Sequence, residues 1–138
     1  DDEKLSVSQT TTRQDVKIDS VLEKSQILEF QNLVREVPVP ESVLDMAVQL
    51  VTMTRPGTSE SPEFVDKYLS WGAGPRASQY LILGAKTRAL SRGRFNVTEK
   101  DIEALAVPVL RHRIVTNYAA EAEGIDTVNV IKKLIDAL

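Results

Sequence analysis

Arg76 is the residue in this chain best placed to do chemistry. It follows Gly72-Ala73-Gly74-Pro75 and opens a mostly apolar stretch that reads as a helix to about Arg92. Proline suits a first helical position, where the missing amide hydrogen would have no partner in any case. The free amides and positive dipole end of a helix N-terminus attract anions. A guanidinium in that first turn opposes the same dipole, which is usually matched by Asp or Glu. An anion shared between Arg76 and the helix amides would remove the conflict. An acidic side chain of the same domain would remove it too, and the residues alone leave both readings open. A second cluster, Arg111-His112-Arg113, closes a later predicted helix. It reads equally as a basic, nucleotide-responsive subunit contact or as charge suited to a helix C-terminus.

Other chemistry is excluded by what the chain lacks. It has no cysteine and one histidine, so neither a disulfide framework nor a metal centre is expected. There is no G-x-x-x-x-G-K-[ST] loop to cradle phosphates and no apolar strand ending in paired acids to hold magnesium. No catalytic residue for phosphate hydrolysis is therefore expected here. Tyr80, Leu81 and Ile82 read as core rather than an adenine pocket. Trp71 is expected to pack on the bundle near the preceding loop, and the isolated Tyr118 supports no ligand. No apolar run approaches a membrane span and no signal peptide opens the chain, so a cytoplasmic location is expected.

Charge is unevenly distributed. The 138 residues carry a net charge of −3, yet residues 71–113 hold eight Lys/Arg against three Asp/Glu. That surplus suits an anionic ligand or an acidic partner surface. The same surplus admits a helical nucleic-acid-binding domain, and a purely structural interaction module is a third class. The acidic overall balance and the absence of a reading helix weigh against nucleic acid.

The elements that must position Arg76 are helical. Sparse aromatics with abundant Leu, Val, Ile and Ala suit helix packing. Residues 1–22 are polar without sustained periodicity, with a short extended piece at Val16–Ile18, and read as a poorly ordered linker. Ser25 is predicted to cap a helix to Glu36, with Ile27, Phe30, Val34 and Val37 in one stripe. Val37-Pro38-Val39-Pro40 ends it. A deeply buried helix follows over Glu41–Thr54, its stripe of Val43, Ala47, Leu50 and Val51 widened by Leu44, Met46 and Val48. Ser61-Pro62 starts about two helical turns. Gly74 caps the central helix, which reads as apolar almost all round over Tyr80–Ala85, with Gly84 and Ala85 admitting a close neighbour. Gly93 supplies its left-handed end, with Arg88 and Arg92 matched to the dipole. Phe95–Val97 reads as extended. Thr98 with Asp101 forms a capping box, and Ile102, Leu105, Ala106, Val109 and Leu110 form a stripe that Pro108 should kink or split. Asp126 or Thr127 caps a last helix that buries Val128, Ile131, Leu134, Ile135 and Leu138. The expected fold is all-α, a small helical bundle with five amphipathic helices on one core and at most short extended pieces.

The ordered set Trp71-Gly72-Ala73-Gly74-Pro75-Arg76-Ala77, Gly93-Arg94, a capped helix and Val109-Leu110-Arg111-His112-Arg113 resembles the C-terminal lid of MoxR-type AAA+ ATPases. The match runs over roughly Ser25 to Arg113, with Gly74 standing where the family often has serine. The resemblance implies that Arg76 is the sensor-2 arginine, with Gly74, Pro75 and Ala77 completing the nucleotide-binding motif. It implies a missing upstream ATPase core joined through residues 1–22 to a lid of residues 23–138. It further implies ATP and magnesium in the parent, with neither held by this piece alone. The parent is expected to be a homo-hexamer that matures or activates partner complexes, with von Willebrand factor A domain proteins among its partners.

Overall fold

The computed structural model describes residues 2–11 and 19–138. Among these it contains eight helices and one two-stranded ribbon, and the chain divides into residues 1–30 and residues 31–138.

In the first unit, α1 (Asp2–Thr11) replaces the expected irregular start. Asp2 and Glu3 complement its dipole, and the Thr10 and Thr11 hydroxyls donate to Ser6 O and Val7 O. It buries no residue, which is why the sequence shows no apolar period there. The extended piece expected at Val16–Ile18 lies outside the described residues. Helix α2 (Lys24–Glu36), whose residues are divided between the first and second units, begins at Lys24 rather than being capped by Ser25: the Glu23 amide donates to Gln26 Oε1 at 2.8 Å. Its expected stripe is not buried, since Ile27 and Phe30 are exposed, Val34 is half-buried and only Val37, past the helix end, is buried.

In the second unit, α3 (Glu41–Met53) buries Val43, Ala47, Leu50, Val51 and Met53. Leu44 and Val48, expected inside, face solvent, so the buried stripe is narrower than the apolar composition suggests. A loop leads to α4 (Glu63–Tyr68), and Pro62 rather than Ser61 is its cap residue. Asp66 of α4 folds that loop back, its Oδ1 accepting from the Gly57 amide at 2.7 Å and the Ser61 hydroxyl at 2.8 Å. Leu69–Trp71 forms β1, which the apolar pattern does not announce.

Helix α5 (Arg76–Ser91) buries Ala77, Leu81, Ala85 and Ala89, one residue per turn. Tyr80 is exposed and Ile82 and Leu83 are partly covered, so α5 is one-sided rather than enclosed. It ends at Gly93 with φ +69°, as the sequence predicts. Helix α6 (Glu99–Leu110) starts in the predicted capping box of Thr98 and Asp101 and buries Asp101, Ile102, Ala106 and Leu110. The pair α5 and α6 is the most closely associated in the fold. A methyl group at Gly84 would come within 2.9 Å of Leu105 Cδ1, so this glycine admits the close approach. Two expectations fail here. Residues 95 and 96 form a bend and no strand forms over 95–97, and Pro108 neither splits nor ends α6. Pro108 stands in the last turn at an exposed position, four residues after exposed Ala104, whose carbonyl can turn to water.

Val115–Thr116 forms β2, antiparallel to β1 in the register Leu69–Thr116 and Trp71–Val115. The short α7 (Tyr118–Ala122) is absent from the sequence reading. Asn117 caps it, accepting from the Ala120 amide at 3.1 Å while its Nδ2 donates to Lys67 O at 2.9 Å. Helix α8 (Thr127–Asp136) carries the predicted Asp126 cap. It buries Val130, Ile131 and Leu134. Val128 and Ile135 are only partly covered and Leu138 is exposed, so the buried face is rotated from the expected one. Together α3, α4, α5, α6 and α8 contribute to one apolar core.

Candidate functional site: the start of the central helix

The site is built from the C-terminal end of α3. Thr54, fully buried, donates its hydroxyl to Val51 O at 2.6 Å and accepts from the Ala73 amide at 2.8 Å. The next residue, Arg55, donates through Nε to the Ala73 carbonyl at 3.0 Å. Both polar groups of one loop residue are thus held by two consecutive residues of another segment. Between them the backbones nearly touch. A Cβ on Gly72 would lie 2.3 Å from Thr54 O and 2.6 Å from Arg55 Cα, so only glycine fits. A cleft of about 380 Å³ opens beside this junction, lined by Arg55, Pro56, Trp71 and Gly72–Gly74 with Ser70. Trp71 is 71% exposed, so it stands at the cleft rather than against the bundle.

From this anchor the chain passes through Gly74 and Pro75, both exposed, into α5. Pro75 already has helical angles (φ −58°, ψ −26°), and the Ala77 amide donates to Gly74 O at 2.9 Å. Pro75 rather than Gly74 is therefore the cap residue, with Arg76 the first helical residue, and Ala77 is fully buried beneath the first turn. Arg76 is exposed and makes no hydrogen bond or ion pair among the described residues. No acidic side chain of those residues neutralises it.

The second cluster is carried to the same end of α5 by tertiary structure. Since β2 pairs with β1, the chain following α6 returns to the start of α5. Arg113 lies over the Tyr80 ring, 4.9 Å from its centre, and donates to Val109 O at 2.5 Å. It also contacts His112 Nε2. Tyr80 is one helical turn beyond Arg76, so Arg113 is engaged on the face of α5 that also carries Arg76. Arg111 and His112 are exposed.

The far end of α5 is locked by a group the sequence shows only as half of a capping box. Asp101 is fully buried. Its carboxylate accepts from Arg94 at 2.6 and 2.8 Å, from the Thr98 amide and hydroxyl at 2.9 Å each, and from Arg88. These bonds, Arg94's foremost, hold its carboxyl well below the usual carboxylate range, against burial, which alone would raise it. Arg88 thus pairs with Asp101 instead of merely suiting the helix dipole. The signal available in the sequence is two positive charges and one negative charge flanking one predicted turn. Much of the basic surplus of residues 71–113 is used internally in this way, with Lys86 donating to Arg35 O at 2.9 Å as a further case.

A helical lid with a proline-led arginine helix on a glycine-dependent junction is what the fold and site define. Residues 63–134, just over half of the chain, match the AAA lid domain family. The chain is 31% identical over 118 residues to Chaperone MoxR1 of Mycobacterium tuberculosis, covering 86% of this chain and 31% of that protein. It is 27% identical over 121 residues to the uncharacterized protein YeaC of Bacillus subtilis, covering 88% of this chain and 35% of that one. A crystal structure of a candidate ATPase from Cytophaga hutchinsonii superposes with a TM-score of 0.82 at 30% identity, over 99% of this chain and 42% of the other. The chain belongs to the AAA lid domain family, as the lid of a MoxR-family AAA+ ATPase. It spans about a third of the curated relatives it matches.

Proposed function

We propose that this chain is the nucleotide-sensing part of its parent ATPase, with Arg76 as the sensor-2 arginine that meets the γ-phosphate of ATP. The observation that carries the proposal is the setting of Arg76: exposed, at the first residue of α5, with no partner among the described residues. A planar guanidinium beside a helix N-terminus fits a phosphate oxygen and can donate two parallel hydrogen bonds to it. The junction at Gly72–Gly74 supports the reading because it leaves the first turn accessible while fixing the backbone behind it.

ATP supplies the phosphoryl group whose hydrolysis drives proteins of this family. This chain's own contribution is to bind and orient the terminal phosphate. The described residues contain no group of three or more His, Cys, Asp or Glu that could hold a metal, and magnesium ligands are assigned to the parent's core domain. Residues 1–22 are assigned to the connection with that core. The parent is read as a cytoplasmic homo-hexamer that matures or activates partner complexes, von Willebrand factor A domain proteins among them. Arg111 and His112, both exposed, are the candidate subunit contact, with Arg113 already engaged on Tyr80.

Arg76→Ala in the full-length parent tests this. It is expected to slow ATP hydrolysis and weaken ATP binding more than ADP binding, because the guanidinium meets charge that ADP lacks. A charge-assisted hydrogen bond of this kind contributes roughly 1.5–3 kcal/mol. Arg76→Lys is expected to restore only part, since an ammonium cannot reproduce the planar fork. A folded Arg76→Ala protein with wild-type hydrolysis and unchanged nucleotide discrimination would show the arginine to be structural.

A further inference from the structure

We propose that Thr54 and Arg55 are positioning residues for Arg76: by gripping the amide and carbonyl of Ala73 they set the direction in which the arginine leaves the helix start. The inference rests on Arg76 meeting the terminal phosphate, and its test is arranged so that the two can fail separately.

Three observations support it. First, the grip is two-sided and aimed. The Thr54 hydroxyl gives its hydrogen to Val51 O at 2.6 Å, which leaves a lone pair for the Ala73 amide at 2.8 Å. Arg55 closes the other side through Nε at 3.0 Å. Second, the grip is buried where it matters, since Thr54 and Ala73 are 0% and 1% exposed. A buried amide that loses its acceptor is costly, so the loop has little freedom to settle elsewhere. Third, the link from grip to arginine is short, and Pro75 limits its freedom. Only Gly74 separates Ala73 from Pro75, whose ring fixes φ, and Arg76 follows at once. Gly72, pressed against Thr54 O, blocks motion toward α3. A shift of the Ala73 peptide, three residues before Arg76, therefore moves the helix start, and small misplacements of a phosphate-binding group are strongly felt.

The test uses the full-length protein and compares affinities for ATP and ADP in wild type, Thr54→Val, Thr54→Ser, Arg55→Met, Arg76→Ala and the Thr54→Val/Arg76→Ala double variant. Circular dichroism checks folding in each. Arg76→Ala is expected to lower the ATP-to-ADP affinity ratio by roughly tenfold or more. Thr54→Val, which keeps shape but removes the hydroxyl, is expected to lower it several-fold, and Arg55→Met likewise. Thr54→Ser retains the hydroxyl and is expected to keep the ratio near wild type. In the Arg76→Ala background, Thr54→Val should change the ratio no further. A folded Thr54→Val with an intact ratio overturns the proposal while Arg76 keeps its role, and so does equal weakening of both nucleotides or a fully additive double variant. An unchanged ratio in Arg76→Ala instead overturns the phosphate reading and this inference with it. Should Thr54→Val not fold, Arg55→Met decides, because that side chain is only partly buried.

Discussion

Asp101 of α6 and Arg94 of the preceding loop form a two-pronged ion pair, with guanidinium nitrogens 2.6 and 2.8 Å from the two oxygens of a carboxylate that has no exposed surface. With Arg88 as the third member, it joins the end of α5 to the start of α6. The pair therefore decides how the helix carrying Arg76 is held at its opposite end. Replacing Asp101 with Asn keeps the shape and part of the cap but leaves two partly buried arginines without their counter-charge. Breaking such a pair from one side costs about 3–5 kcal/mol. Asp101→Asn is expected to lower the unfolding free energy measured by urea titration by an amount of that order, whereas loss of a simple N-cap costs only about 1 kcal/mol. A loss of unfolding free energy no larger than the cap value would show the arginines to be spectators.

The same carboxylate gives the fold an acid-side dependence. Its folded pKa lies below the ordinary 3.8, so between the two values the unfolded chain binds the proton that the folded chain refuses. The stabilisation is complete above about pH 4 and is lost as pH falls through the folded value. Asp66, held down by the Gly57 amide and then Ser61, and Glu123, held down by Lys67 and then Tyr68, act with the same sign. Both are exposed and screened, so Asp101 should dominate. Stability measured from pH 6 down to pH 3 should fall in the wild type and flatten markedly in Asp101→Asn. Parallel curves for the two proteins would remove Asp101 as the cause.

Two glycines two positions apart in the sequence should behave oppositely. A methyl group at Gly72 meets backbone atoms of Thr54 and Arg55 that cannot rotate away, while one at Gly74 meets nothing within 4 Å. Gly72→Ala should destabilise by roughly 1–3 kcal/mol, the usual cost of forced overpacking, and Gly74→Ala should be close to neutral. Thermal melts of the two variants separate the expectations directly. Equal melting temperatures would mean that the junction of α3 with the loop can open without cost.

The isolated 138-residue chain is expected to be folded, helical and without ATPase activity, and to bind ATP very weakly. One guanidinium and one helix start offer few contacts, and an exposed ion pair contributes roughly 0–1 kcal/mol. Titration calorimetry on the purified chain measures this, and micromolar affinity without the rest of the protein would reveal a complete pocket within it. Steady turnover surviving contamination controls would reveal catalytic groups there as well.

Local chemistry was legible from the residues themselves. Pro75 and Gly93 bracket α5, Thr98 and Asp126 open α6 and α8, and Gly74-Pro75-Arg76 marks the candidate site, because caps and turns are decided by groups a few positions apart. Burial was less legible. Leu44, Val48 and Tyr80 look like core by type, but each helix here presents only one stripe to its neighbours, and which stripe depends on partners far along the chain. Helix α1 escaped notice because it buries nothing, and β1 and β2 because strands of three and two residues have meaning only once paired. Three relations that hold the site belong wholly to tertiary structure: Thr54 and Arg55 on Ala73, Arg113 over Tyr80, and Arg88 with Arg94 on Asp101. Their partners stand 7 to 33 positions apart in the chain, and folding brings them together, at Ala73 and Asp101 where water no longer competes for the polar groups.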